Sequence, residues 1–301
     1  MNSKSRNHIK TGSRLFDVIN VAFMCTVAIV CLFPILNVLA VSFSNAGAAA
    51  AGEVKLWPIG FNLSAYKYAL TKPQFTSSFM VSVKRALLGL VINMVCTILA
   101  AYPLSKSSKE LHGRNLYAWF FFFTTIFSGG LIPWYVVVNQ TGLADTLLGL
   151  ILPGAIPVFN VIVLLNFFRQ LPKELSESAV VDGAGHLRIL VQIYLPLSIP
   201  SLATLVLLVV VGHWNSWFDG LILMRSPDNY PLQTYLRSLL LTRDMESMRS
   251  ATPEQLKELS AISDRTLRAA QIFIASLPIL AIYPFMQKYF MKGLVMGSVK
   301  G

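Results

Sequence analysis

Residues 18–41 read VINVAFMCTVAIVCLFPILNVLAV, a run of 24 residues that contains no charged side chain. A helix needs about 20 apolar residues to cross a bilayer core of roughly 30 Å, so this run is long enough to span a membrane. The apolar core of a cleavable signal peptide is only about 7–15 residues long. Although small residues follow at 46–51, we therefore predict an uncleaved first transmembrane helix.

The composition of the whole chain points in the same direction. The hydrophobic fraction is 54% and the charged fraction is 13%, whereas soluble domains average about 25% charged residues. A chain so poor in charge cannot cover a water-facing surface. We predict an all-α, polytopic membrane protein whose six transmembrane helices lie at about 18–41, 75–102, 116–138, 146–168, 197–217 and 269–289.

Glycine and proline residues predict irregularities in two of these spans. Gly129, Gly130 and Pro133 are expected to break or kink the third span. Pro153 and Pro157 lie in the first half of the fourth span, where proline is tolerated if neighbouring groups satisfy the freed carbonyls.

The distribution of basic residues predicts the orientation. Lys and Arg are concentrated in the N-terminal segment, in the loops at 105–115 and 169–196, and in the tail. Further basic residues lie in the long loop 219–268, but long loops contribute little to orientation. We therefore predict a bacterial plasma (inner) membrane protein with a cytoplasmic N-terminal segment at 1–14, a transmembrane permease domain at 15–290 and a cytoplasmic tail at 291–301.

Several other classes of protein find no support in the sequence. The net charge of +11 follows from the same orientation rule, so we predict no binding of nucleic acid. Cys25, Cys31 and Cys96 lie inside apolar runs without metal-ligand spacing and are expected to pack as small apolar residues. We predict no metal site and no catalytic residue, and no phosphate-binding loop of the G-x-x-x-x-G-K-[ST] type is present.

The loop between the fourth and fifth spans has a distinct pattern, LPKELSESAVVDGAGHLRILVQIYLP at 171–196. Pro172 and Glu174 suit the start of a short helix, and Gly183 can end it in a left-handed conformation. Its apolar side is formed by Leu175, Ala179 and Val180. Such a helix-turn-helix fits a groove on a partner protein; the alternative is an amphipathic pair that lies flat on the membrane.

The spacing Glu177-x-Ala179-x3-Gly183-x9-Ile193-x-Leu195-Pro196 resembles the EAA motif of the permease subunits of ABC importers. Asp182 and Ala184 are also typical of that motif, whereas Ser178 stands where an alanine is usual. The motif lies between the last two spans, as it does in that family.

The resemblance extends over nearly the whole chain. AYPL at 101–104, WNSW at 214–217 and the tail QKYFMKGLVMGSVKG at 287–301 are similar to the carbohydrate-uptake permeases of the maltose type. The opening SRLFDVIN at 13–20 resembles the branch that imports complex or acidic saccharides, such as alginate or pectin fragments.

The resemblance implies a type I ABC-importer permease fold and a complex of several chains. The expected partners are a second homologous permease subunit in a heterodimer, two ATPase subunits, an extracellular or periplasmic solute-binding protein, an oligosaccharide substrate and the lipid bilayer. ATP and Mg would be held by the ATPase subunits, and no cofactor by this chain. Residues 174–193 would form the coupling helix, with the ATPase-coupling residues Glu177, Ala179, Asp182, Gly183, Ala184, Ile193, Leu195 and Pro196.

In that family the external loop, here residues 219–268, contacts the solute-binding protein; the alternative is a solvated loop without a role. Lys84 and Arg85 lie early in the second span. They predict either a cationic wall that attracts an acidic sugar or side chains that snorkel to the membrane interface. The candidate substrate pathway is completed by Trp134, Tyr135, Trp214, Asn215 and Trp217.

Those aromatic and amide groups suit sugar rings and hydroxyls, but an interfacial aromatic belt gives the same pattern. His213 is expected to be a packed or interfacial residue. Two functional alternatives remain: an ABC permease for another solute, such as phosphate or peptides, and an ion-coupled secondary transporter. The latter would need ionisable groups near the midplane and repeated halves, and the sequence contains neither.

Overall fold

The computed structural model describes the backbone of residues 6–241 and 263–298, with the side chains of residue 14 and of residues 16–238 and 263–284. The described residues form helices and turns without a strand, which confirms the predicted all-α class. The chain divides into two compact units, Met1–Lys72 with Asp244–Ile274, and Pro73–Arg243 with Ala275–Gly301. Parts of the predicted N-terminal segment, external loop and tail (residues 1–5, 242–262 and 299–301) lie outside the described residues.

The first unit is organised around one long apolar helix. Its elements are α1 (Arg6–Ser42), α2 (Ala46–Ala51), α3 (Ser64–Thr71) and the beginning of α14 (Asp264–Ser298). Asn45 caps α2, because its Oδ1 accepts a hydrogen bond of 2.8 Å from the Ala48 amide. Small residues pack the core of this unit: Ala40, Val41, Ala48, Ala49, Val54 and Ala269.

The second unit contains most of the chain and is built around α4. Its helices are α4 (Pro73–Ser105), α5 (Arg114–Ile126), α6 (Leu131–Gln140), α7 (Val158–Gln170), α8 (Lys173–Val181), α9 (His186–Ile189), α10 (Leu195–Leu197), α11 (Ile199–Asn215), α12 (Phe218–Leu223), α13 (Leu232–Leu241) and the rest of α14. A π-helical segment, Leu190–Tyr194, joins α9 to α10, and α4 packs against both α7 and α11.

Three helical segments among the described residues are long and apolar enough to cross a membrane: Phe16–Ser42, Pro73–Ser105 and Asp264–Pro284. Three further pairs of consecutive helices are apolar enough to cross a membrane together, but each pair is bent at a short break. With each bent pair counted as one span, the number of spans is six, as predicted. The bends measure 115° between α5 and α6, 51° before α7, and 84° between the segment His186–Leu197 and α11.

The break between α5 and α6 confirms the irregularity expected at the two glycines of the third span. α5 ends at Ile126, and Gly130 precedes α6 with a φ of 87°, a conformation that disfavours residues with a side chain. α1 and α4 extend beyond the predicted apolar spans, from Arg6 and Pro73 respectively. Polar residues next to an apolar run can continue the same helix because its backbone hydrogen bonds lie within the segment.

Large apolar side chains are exposed along α1 and α5. Phe16, Ile29, Leu116, Trp119 and Phe120 are each at least half exposed. An apolar surface of this extent is unfavourable in water, so we expect these faces to contact lipid or partner subunits.

Candidate functional site

The loop between α7 and α11 folds as the predicted helix-turn-helix. α8 begins after Pro172 and ends at Val181. The turn is closed by hydrogen bonds from Gly183 N to Val180 O (3.0 Å) and from Ala184 N to Ala179 O (2.8 Å). Gly183 has a φ of +77°, the left-handed conformation that only glycine adopts without strain. We call residues 173–195 the coupling segment, after the coupling role that the sequence resemblance implies for residues 174–193.

The coupling segment has one packed side and one exposed side. Ala179, Ala184, Ile193 and Leu195 pack on a buried cluster that includes Phe168 and Leu205. No residue of α8 is buried, and the carboxylates of Glu177 and Asp182 lie on its surface. The exposed apolar residues of the segment include Val181 (87% exposed) and Leu187 (71%), together with Leu175 and Val180. Exposed carboxylates beside an apolar patch form a surface that suits a protein partner.

A lysine between two tyrosine rings fastens the coupling segment to the end of α4. Lys106 Nζ lies 4.7 Å from the ring centroid of Tyr102 and 4.5 Å from that of Tyr194. It also donates a hydrogen bond of 3.0 Å to the Tyr194 hydroxyl. We call these three residues the Lys106 clamp. Burial lowers the pKa of Lys106, but the hydrogen bond and charge interactions with the tyrosines outweigh it, and the pKa is raised.

Further polar contacts lie next to the Lys106 clamp, at the end of α4. Tyr102 Oη lies 3.4 Å from His186 Nδ1 at the start of α9. Arg114 Nε and Arg169 Nη2 both donate to the Leu104 carbonyl, at 2.9 and 3.3 Å. The first contact joins α4 to α9 of the coupling segment, and the two arginines join α5 and the end of α7 to the end of α4.

A cavity of about 460 Å³ lies among α4, α6, α7, α11 and α12 of the second unit. We call it the polar cavity. Its lining residues with polar or aromatic side chains are Arg85, Asn93, Trp134, Asn160, His213, Ser216 and Asp219. An adjoining groove shares Trp134, Ser216 and Asp219 with it. Hydrogen-bonding groups together with an aromatic ring can bind a polar solute.

A buried ion pair forms one wall of the polar cavity. Arg85, which is 2% exposed, is paired with Asp219 through both guanidinium Nη atoms. Its Nη2 also donates to the Leu150 carbonyl at 3.2 Å. Asp219 Oδ1 accepts further hydrogen bonds from Ser216 Oγ (2.8 Å) and Gly220 N (2.9 Å). A charge inside a membrane helix needs such a partner, and Arg85 therefore does not snorkel to the interface.

The other residues of the predicted substrate pathway are dispersed. Trp134 lines the polar cavity, whereas Lys84 is exposed and does not. Trp214 is buried, and its Nε1 donates to the Ala275 carbonyl at 2.9 Å. The remaining three, Tyr135, Asn215 and Trp217, are exposed and also lie outside the cavity lining. The structure thus brings together Arg85 and Trp134, and the roles of all seven residues stay predictions.

Asn93, Asn160 and Asp219 line the cavity but were missed by the sequence reasoning. Asn93 shares one face of α4 with the predicted Arg85 and with Gly89, because the three follow one another at four-residue spacing, and this spacing is a signal that could have been read. A Cβ at Gly89 would overlap the ring of His213, so the glycine allows α4 and α11 to approach here. His213 is half-buried and lines the cavity. Asn160 and Asp219 carried no comparable local signal.

The predicted external loop forms hydrogen bonds with a neighbouring segment in the part that the structure describes. Asp145 accepts hydrogen bonds from the Arg225 amide (3.0 Å) and from Asn229 Nδ2 (3.4 Å). The Arg225 amide holds the pKa of the Asp145 carboxyl below its usual value. Residues 242–262 of the loop expected to contact a binding protein lie outside the described residues.

The helical fold, the exposed coupling segment and the polar cavity define a class of proteins, the membrane-spanning subunits of transporters. Residues 5–296 match the family of binding-protein-dependent transport system inner membrane components. The chain belongs to this family. It is a multi-pass permease component of the inner membrane.

Individual relatives agree with this assignment. Protein LplC of Bacillus subtilis (strain 168) is 40% identical over 294 residues, covering 98% of each chain. The polygalacturonan/rhamnogalacturonan transport system permease protein YtcP of the same organism is 37% identical over 294 residues, covering 96% of this chain and 99% of that protein. In a crystal structure of a bacterial ABC transporter involved in the import of the acidic polysaccharide alginate, one chain matches with a TM-score of 0.83 at 30% identity, covering 96% of this chain and 99% of that chain.

Proposed function

We propose that this chain is the permease subunit of an ABC importer that moves an oligosaccharide from a solute-binding protein across the inner membrane. A separate pair of ATPase subunits drives the movement with ATP and Mg, and a second homologous permease completes the membrane pore. The exposed coupling segment is the observation that carries the ATP-driven part of the proposal. The carbohydrate part is supported by the relatives, whose named substrates include polygalacturonan and alginate.

The coupling segment can transmit force because its two sides differ. Glu177 and the exposed apolar residues of α8 offer a docking surface to a cleft on the ATPase, where a basic residue would make a charge-assisted hydrogen bond to Glu177. The opposite side packs on the long helices through the buried cluster and the Lys106 clamp. Closure of the ATPase would then shift a two-state arrangement of rigid helices.

The polar cavity provides this chain's share of the substrate pathway. Amide, imidazole and hydroxyl groups suit sugar hydroxyls, and the Trp134 ring offers a face for stacking. An acidic oligosaccharide is the finer candidate, supported by the polygalacturonan and alginate transporters among the relatives. A permease for a non-sugar solute is the alternative.

Both termini are placed in the cytoplasm in this proposal, because the short basic loops flank the spans on that side. The loops before α5 and before α11 then face the ATPase. The loops around Asp145 and Asp228 face the binding protein.

Reconstitution of the complete complex in liposomes tests the proposal. Purified permease pair, ATPase subunits and binding protein would be supplied with a panel of oligosaccharides, peptides and inorganic anions. We expect uptake of an oligosaccharide that requires ATP and stops when the ATPase is inactivated. Uptake of a peptide or anion instead would favour the alternative, and uptake by the permease pair without ATPase subunits would refute the proposal.

A further inference from the structure

We propose that the polar cavity binds an uncharged sugar unit, even where other units of the transported oligosaccharide are acidic, and that Asp219 sets this preference by cancelling the charge of Arg85. This inference rests on the proposed function, since it assumes that the transported solute is a saccharide. It assigns to this chain a subsite and a residue that determines specificity.

The charges that line the polar cavity cancel each other. Among its lining residues, Arg85 and Asp219 carry the only permanent charges, and they are paired with each other. His213 is the one further titratable group of the lining. The net charge of the wall is therefore zero while His213 is neutral. None of the described lining residues has an unpaired, permanently positive side chain that would attract a uronate carboxylate.

Asp219 is the more accessible member of the ion pair. The side chain of Arg85 is 3% exposed and that of Asp219 is 20% exposed. Asp219 also borders the adjoining groove, which Arg85 does not. A solute in the cavity thus contacts the carboxylate before the guanidinium. Sugar hydroxyls can donate to a carboxylate, whereas a second carboxylate would be repelled.

Neutral hydrogen-bonding groups complete the lining. Asn93, Asn160 and Ser216 line the cavity together with the Trp134 ring. Asn93 Nδ2 donates to the Gly154 carbonyl at 3.3 Å. Amide and hydroxyl groups can exchange hydrogen bonds with sugar hydroxyls, and an aromatic ring can cover the apolar face of a sugar.

The test compares one oligosaccharide in two forms, with free uronate carboxyls and with methyl-esterified, uncharged carboxyls. Initial rates of ATP-driven uptake by the complete complex give an acid-to-neutral ratio, and the binding protein is the same for every variant. We expect Asp219→Asn to raise this ratio at least about threefold, because it exposes the charge of Arg85. We expect Arg85→Gln to lower it, because it leaves the Asp219 carboxylate unpaired.

Loss of one partner can prevent folding, so a charge swap provides the second variant. The double substitution Arg85→Asp and Asp219→Arg keeps a pair of opposite charges but makes the guanidinium the more accessible member. It should also raise the ratio. Asp264→Asn is the matched control, since Asp264 forms an ion pair with Arg268 at 3.7 Å and does not line the cavity; its ratio should equal that of the unmodified protein.

The outcomes separate the two claims. If the unmodified complex transports no oligosaccharide in either form, the proposed function fails. If it transports an oligosaccharide, but Asp219→Asn and the charge swap reach the membrane with an unchanged or lowered ratio, the pair is structural and this inference is overturned. If Asp219→Asn does not accumulate, the ratio of the charge swap alone decides.

Discussion

Arg85 shows how little a single residue reveals before its neighbours are known. An arginine in an apolar span predicts either a pathway residue or a side chain that reaches the interface. The structure pairs it with Asp219 instead, and its two Nη atoms donate hydrogen bonds to that carboxylate and to the Leu150 carbonyl. Removing one member of a buried pair typically costs about 3–5 kcal/mol, because the other charge is left uncompensated.

Glu177 is the residue whose charge we expect to matter most for coupling. It is exposed on α8, and within the described part of the chain it forms no ion pair. Glu177→Lys should reduce uptake by about tenfold or more, because a charge-assisted hydrogen bond is worth roughly 1.5–3 kcal/mol. ATP hydrolysis should continue. Uptake and hydrolysis measured together on reconstituted complexes check this prediction.

Glu174→Lys is the control for this charge reversal, because Glu174 lies in the first turn of the same exposed helix. It should retain most of the uptake. Gly183→Asp should also uncouple hydrolysis from uptake, because φ at this position is positive, although an added Cβ would meet no atom within 4 Å. Normal uptake by both Glu177→Lys and Gly183→Asp would contradict the role of the coupling segment.

At the scale of elements, α4 connects the two candidate sites. Its middle presents Arg85 and Asn93 to the polar cavity, and its end contributes Tyr102 to the Lys106 clamp. The π-helical segment Leu190–Tyr194 holds the other tyrosine of the clamp. π-helical turns are uncommon and occur frequently at functional sites. α4 thus connects the coupling segment to the cavity, and we expect movement of the segment to reach the cavity through α4.

Lys106→Met tests this route. The substitution keeps an apolar side chain of similar length but removes two cation–π contacts and one hydrogen bond. Each cation–π contact is worth about 0.5–2 kcal/mol, depending on solvation. We expect the number of sugars transported per ATP hydrolysed to fall several-fold, with the protein still present in the membrane.

Lys109→Met is the matched control, because Lys109 lies three residues further along the same loop and is exposed. Its ratio of transport to hydrolysis should remain normal. An equal loss in both variants would mean that the loop needs positive charge in general rather than a clamp at Tyr102 and Tyr194.

At the scale of the whole molecule, orientation decides which surface meets which partner. The proposal puts the loop at 106–113 in the cytoplasm and the loop around Asp228 outside. After replacement of Cys25, Cys31 and Cys96 by serine, we expect a membrane-impermeant maleimide to label Asp228→Cys in intact cells. Ser108→Cys should be labelled only after permeabilisation, and both positions are exposed. The reverse pattern would invert the assignment of the coupling segment.

The amino-acid sequence alone determined the class of this protein and the form of its coupling segment. Apolar runs of membrane-spanning length, the glycines before α6 and the pattern at 171–196 are local signals. Local signals survive in sequence because helix length, turn conformation and helix periodicity depend on residues a few positions apart. The predicted helix-turn-helix and the predicted break in the third span were accordingly confirmed.

The polar cavity and the Lys106 clamp are formed by tertiary packing and could not be predicted from the sequence. Arg85 and Asp219 are 134 positions apart, and Lys106 and Tyr194 are 88 apart. Such pairs meet because α4, α7, α11 and α12 pack in one particular arrangement, and no periodicity within a segment encodes that packing. For the same reason Lys84 and Arg85, adjacent in sequence, differ in the structure: one side chain is exposed, and the other is buried against a distant carboxylate.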